Sequence, residues 1–108
     1  MMIKTDLHMA RLKPEMVDEY RRMHDNIWPE MVAAYNAAGI TQIRCFLNGV
    51  DLIIYFEYDD TIFSDAKESL RNNDVEIRWQ KIMKTFADPA FKAVHFDEVF
   101  TMNNPSRD

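Results

Sequence analysis

An α+β fold with the element order β-α-β-β-α-β is predicted by three features of this sequence. Two strand-like runs, Ile40–Leu47 and Val50–Tyr58, flank Asn48-Gly49, the dipeptide that best satisfies the positive φ angles of a tight hairpin turn. Ahead of them, an amphipathic stretch is interrupted by Pro29 and stopped by Gly39. After them, Val75, Trp79, Ile82, Met83 and Phe86 make one apolar stripe at helical spacing. The 108 residues suffice for one domain and fall short of two ordinary ones, so 1–108 is expected to be a single unit.

Met2–Ala10 mixes apolar and polar residues as a first strand does. Lys13-Pro14-Glu15 then opens a helix, because proline suits a first turn and Glu15, Asp18 and Glu19 favour its positive end. Val17, Tyr20 and His24 follow at i, i+3 and i+7 and share one face. Pro29 restarts the helix as an early residue of a second segment running to Ala38. Beyond the hairpin, Asp59–Asn73 is polar with Ile62, Phe63, Ala66 and Leu70 interspersed, and reads as a short helix and a loop. Asn73 or Asp74 caps the next helix, which ends near Asp88-Pro89. Ala93–Met102 is the last strand, and residues 103–108 read as a frayed tail. This order is the ferredoxin-like arrangement, an antiparallel sheet with its helices on one face.

The strands carry a further constraint. Leu52, Ile54, Phe56 and Tyr58 alternate with Ile53 and Tyr55, while Ile43, Cys45 and Leu47 oppose Gln42, Arg44 and Phe46. A sheet with one wet face alternates cleanly between apolar and polar, yet here the second face stays largely apolar. The chain's own helices are committed to the first face. A homodimer in which two sheets face each other, or close into a shared barrel, would cover the second.

Composition narrows the chemistry. Thirteen basic against eighteen acidic residues give a net charge of −5, and no Lys/Arg run supplies the footprint of a nucleic-acid partner. Two glycines leave no loop to cradle a nucleotide phosphate, so phosphate-loop and dinucleotide-fold readings are set aside. The lone Cys45 removes an intramolecular disulfide framework and reads as a buried, inert thiol. No apolar run approaches the ~20 residues of a membrane helix, and the charged start lacks a signal-peptide core. A cytoplasmic protein without a membrane partner is the expectation. His8, His24 and His95 fall on three elements with no helical ligand spacing, so no metal and no cofactor are expected.

The informative stretch is Tyr20-Arg21-Arg22-Met23-His24-Asp25-Asn26-Ile27-Trp28-Pro29-Glu30. Tyr20 and His24 stand at i, i+4 on one helix face. Histidine exchanges protons near neutral pH, and a tyrosine hydroxyl can bind a polar substrate while its ring packs. Trp28 lies at the helix break, where helix ends leave backbone groups open to a ligand. Trp79-Gln80 pairs a flat ring with an amide, a common way to hold a sugar's apolar face and its hydroxyls. Each of these has a plainer role available, as a helix cap for His24 or as core packing for the aromatic residues.

The run Tyr20…His24…Ile27-Trp28-Pro29-Glu30 resembles the motif of the L-rhamnose mutarotase family. Gly39 before a strand, the Arg78-Trp79…Met83 helix and a terminal Glu98-Val99-Phe100 extend the likeness over nearly the whole chain. The resemblance implies a dimeric α+β barrel of ferredoxin-like protomers. It also implies interconversion of the α and β anomers of a deoxyhexose, with neither metal nor cofactor. Under it, His24 matches the general acid, Tyr20 a substrate-binding tyrosine, and Trp79 the first of two consecutive substrate-binding tryptophans. The second tryptophan is Gln80 here, and a tyrosine expected early in the second strand is Ile43. Both departures alter the sugar pocket rather than the acid, so L-fucose stands beside L-rhamnose as expected substrate.

Mutarotation needs only a proton delivered to the ring oxygen, a proton removed from the anomeric hydroxyl, and rotation about C1–C2 before reclosure. One positioned acid or base contributes about 10²–10⁴-fold. The expected roles are proton donation by His24, orientation by Tyr20, and grip by Trp79, Gln80 and Trp28. The complementary base is a water or a carboxylate such as Glu98 or Asp25. Two other readings use the same architecture: a barrel monooxygenase acting with haem or on an aromatic substrate, and a sugar-binding module without catalysis.

Overall fold

The computed structural model describes residues 2–103 and follows the predicted order. β1 (Ile3–Arg11) leads through a 3₁₀ turn at Pro14–Met16 into α1 (Val17–Asp25) and α2 (Pro29–Ala37). The hairpin β2 (Ile40–Asn48) and β3 (Asp51–Asp59) is followed by α3 (Asp60–Arg71), α4 (Asp74–Phe86) and β4 (Val94–Phe96). The four strands lie in the order β2-β3-β1-β4, every neighbouring pair antiparallel, which is the ferredoxin-like sheet. Of the proposed tail, residues 104–108 lie outside the described residues.

Local chemistry explains most boundaries. Pro29 occupies the first turn of α2, and Gly39 closes that helix at φ +87°. A side chain at Gly39 would put its Cβ 2.8 Å from Cβ of Ile62, so α3 packs against the bare backbone there. Asn73 caps α4 by accepting from the Val75 N–H at 2.8 Å, and Asp59 caps α3 by accepting from Thr61 at 3.0 Å. The hairpin turn sits one residue later than the sequence suggests. Asn48 pairs with Asp51, and Gly49 takes the first central position at φ +63°, the pattern of a type II′ turn.

Two elements differ from expectation. Asp59–Asn73 is not a short helix and a loop but the 12-residue α3, because Asp59 caps it and Ile62 docks on Gly39. The last strand spans Val94–Phe96 rather than Ala93–Met102, since its ladder exists only opposite Leu7–Met9 of β1.

The core occupies one end of the layer between helices and sheet. Leu12, Tyr20, Leu52 and Phe86 are buried together, with Met23, Ile82 and Met83 packed against them. Main-chain bonds fasten the end of α4 to the end of β1: Lys13 N–H donates to Phe86 and Asp88 N–H to Arg11, at 2.9 and 2.8 Å. Beside this closed end the same layer opens into a cavity.

Candidate active site

The cavity measures about 740 Å³ and lies between the helix-side face of the sheet and α1, α2 and α4. Its floor is Ile43 and Cys45 of β2 with Ile54 and Phe56 of β3. Its helical wall brings together Tyr20, His24, Trp79 and Gln80, four of the five residues singled out in the sequence. The fifth, Trp28, is off the wall. It packs edge-on against Trp79 at 5.1 Å, with the Arg78 guanidinium 5.5 Å over its ring, and so braces the residue that faces the cavity.

His24 is held from three sides. Its Nδ1 lies 2.9 Å from the carbonyl oxygen of Tyr20, one turn earlier on α1. A carbonyl only accepts, so Nδ1 carries the hydrogen and Nε2 is the atom left for proton exchange. The imidazole stacks on the Tyr20 ring at 4.1 Å and meets Trp79 edge-on at 5.4 Å. The contact to the helix backbone thus uses one nitrogen of the ring and leaves the other free of it.

Tyr20 is 6% exposed, and burial pushes its hydroxyl far above the usual tyrosine value, so it remains a neutral donor. The hydroxyl donates to Sγ of Cys45 at 3.6 Å. Sulfur is a weak acceptor that an oxygen can replace. Cys45 itself corrects an expectation: the residue is exposed at the cavity rather than sealed in the core. Packing around the thiol still pushes its pKa up, which leaves it a poor nucleophile at neutral pH.

The sequence reading missed Tyr35 and Glu76. Tyr35 lines the cavity from α2, its hydroxyl among Glu76, Gln80 and Cys45, and burial raises its pKa strongly. Its position four residues after the fully buried Met31 was the available signal, since i and i+4 share a helix face. Glu76 stands one turn before Gln80 on α4. Its Oε2 is buried with no hydrogen-bond partner among the described residues, and burial raises its carboxyl pKa. Neither Asp25 nor Glu98 lines the cavity. Glu98 instead accepts from the Thr101 hydroxyl at 2.8 Å.

Comparison with known proteins fits this geometry. The family model described as L-rhamnose mutarotase matches residues 7–102. An L-rhamnose mutarotase of Burkholderia cenocepacia (strain HI2424) is 54% identical over 90 residues, covering 75% of this chain and 77% of that protein. One of Bacillus subtilis (strain 168) is 33% identical over 92 residues, covering 80% and 86%. Among solved structures, an L-rhamnose mutarotase of Formosa agariphila superposes with a TM-score of 0.74 at 19% identity, over 93% of this chain and 99% of that one. An antibiotic biosynthesis monooxygenase shares the fold at a TM-score of 0.62 and 13% identity, over 91% and 99%. A chain of this ferredoxin-like fold with these relatives is a carbohydrate epimerase of the mutarotase type. The chain belongs to the L-rhamnose mutarotase family.

Proposed function

We propose that the protein interconverts the α and β anomers of a deoxyhexose, L-rhamnose or L-fucose, in the cleft between α1, α4 and the sheet. The observation that carries this reading is the His24 ring, pinned through Nδ1 and held between Tyr20 and Trp79 with Nε2 left to act. The protonated ring donates from Nε2 to the sugar ring oxygen, the C1–O bond opens, and the anomeric hydroxyl loses its proton to water. Rotation about C1–C2 presents the other carbonyl face. On reclosure the ring-oxygen proton returns to His24 while water gives a proton back to the carbonyl oxygen, and the second anomer results. Trp79 offers a flat wall to the sugar's C–H face, while Tyr20, Tyr35 and Gln80 offer polar groups to its hydroxyls.

The active species in this reading is a homodimer. Across the sheet face away from the helices, Phe46, Ile53, Met9 and Val94 stand in one cross-strand row, and Tyr55, Leu7 and Phe96 in the next. Phe46, Val94 and Phe96 are about half exposed in the single chain. Val99 and Phe100, which the sequence reads as strand, are almost fully exposed beyond β4. A second copy supplies both cover for that face and a partner for this backbone. We assign the reaction to the cytoplasm, where a free thiol such as Cys45 stays reduced.

Saturation-transfer NMR between the anomeric protons of L-rhamnose, and separately of L-fucose, tests the reaction. The protein accelerates exchange for at least one sugar, and His24→Asn lowers that acceleration by about 10²-fold or more. No acceleration with either sugar rejects the reading.

A further inference from the structure

Outside the sugar cleft, the sheet assembles a second group of functional side chains that chain spacing conceals. His8 of β1 and His95 of β4 are direct cross-strand partners, and Asp6 lies two residues before His8 on the same face. The two imidazole rings sit 5.3 Å apart. The Asp6 carboxylate lies between them, Oδ2 at 3.3 Å from Nδ1 of His8 and Oδ1 at 3.4 Å from Nδ1 of His95. One donor atom from each residue falls within 4.8 Å of the others.

Such a cluster has two uses, a hydrogen-bonded imidazole–carboxylate pair or a shared ion. A charge-assisted N–H···O bond from an imidazolium to a carboxylate closes to about 2.7–2.9 Å. Donors bound to one tetrahedral ion at about 2.0–2.1 Å stand roughly 3.3 Å apart along the edges of the tetrahedron. The observed contacts of 3.3 and 3.4 Å run to different oxygens of the one carboxylate and are longer than such a closed ion pair, so the three side chains are gathered without a short charge-assisted bond among them. Both histidines are fixed by strand register, and the His8 ring lies nearly parallel to Phe56 at 5.9 Å. Side-chain exposures of 20% for His8, 41% for Asp6 and 69% for His95 leave an entry path and room for water or another ligand.

We propose that Asp6, His8 and His95 bind one divalent transition-metal ion, with its remaining coordination positions open to solvent. Two imidazole nitrogens and one carboxylate oxygen suit zinc, cobalt, nickel or ferrous iron better than the all-oxygen preference of calcium or magnesium. The ion bridges β1 to β4 and so reinforces a strand whose ladder is three residues long. None of the three ligands lines the sugar cleft. His8 nevertheless stacks on Phe56 of the cleft floor, so the ion sits beside the cleft rather than in it.

The chain has three histidines, which makes the test direct. Chelator-stripped protein is titrated with cobalt(II) chloride near neutral pH, and the ring-proton NMR signals of His8, His24 and His95 are followed. One equivalent of cobalt shifts or broadens the His8 and His95 signals most strongly and those of His24 much less. Zinc(II) chloride displaces the cobalt. His95→Ala and Asp6→Asn, each checked for fold by circular dichroism, weaken cobalt binding about 100-fold, while His24→Ala does not change it. Absence of saturable binding, equal response of all three histidines, or unchanged affinity in both ligand variants overturns the proposal.

Discussion

Tyr20 separates a functional hydroxyl from a structural one. Its only described partner is the Cys45 sulfur at 3.6 Å, so removing the oxygen strands little. Tyr20→Phe is expected to unfold at nearly the wild-type temperature while anomer exchange falls roughly three- to tenfold, the kinetic equivalent of about 1 kcal/mol. An unchanged exchange rate would reduce Tyr20 to packing. Glu76 makes a different prediction, about pH. Burial raises its carboxyl pKa in the folded protein above the ordinary value of 4.5. From 4.5 upward the native state holds a proton that the unfolded chain has released, so stability declines as pH rises through that window. Glu76→Gln cannot lose that proton. Urea melts across mildly acidic to neutral pH should show the variant gaining on wild type as pH rises, and a constant gap between the two would contradict this account.

Helix ends decide how the elements meet. Gly39 is the clearest case, because it stops α2 at a positive φ and lets Ile62 of α3 approach the backbone. Alanine there meets both a strained backbone and a Cβ–Cβ separation of 2.8 Å. Gly39→Ala is expected to cost more than about 1 kcal/mol, seen as a fall of roughly 4–8 °C or more in melting temperature. A neutral result would mean that α3 can slide without loss. The α1–α2 break was legible in advance from Pro29, and the α4 start from Asn73. The length of α3 was not, because its apolar residues are sparse and what holds it is a cap and a contact with a distant glycine. The site divided the same way. Tyr20 and His24 are one turn apart on one helix and could be read together, whereas Tyr35 and Glu76 belong to different helices and meet only when α2 packs on α4.

At the scale of the molecule, the radius of gyration of 15.3 Å exceeds the roughly 13 Å of a compact chain of this size. The excess fits a chain that shows an apolar sheet face and carries residues 97–103 outside any helix or strand. Association through that face predicts an apparent mass of twice 12.8 kDa by sedimentation. Phe46→Lys and Val94→Lys together should return the chain to a monomer without unfolding it, since both positions are about half exposed in the single chain. A wild-type monomer at micromolar concentration would remove the basis for the dimer.

The sequence alone determined the element order, the helix break, the hairpin and the pairing of Tyr20 with His24. These rest on interactions within a few residues, where proline, glycine, capping side chains and helical period act directly. Tertiary structure decided what lies far apart in the chain. It set Trp28 behind Trp79 instead of in the cleft, opened Cys45 to the cavity, placed Tyr35 by Gln80, and brought His8 opposite His95 around Asp6. Each of these depends on strand register or helix packing, and one residue of slippage in either turns a side chain to the other face.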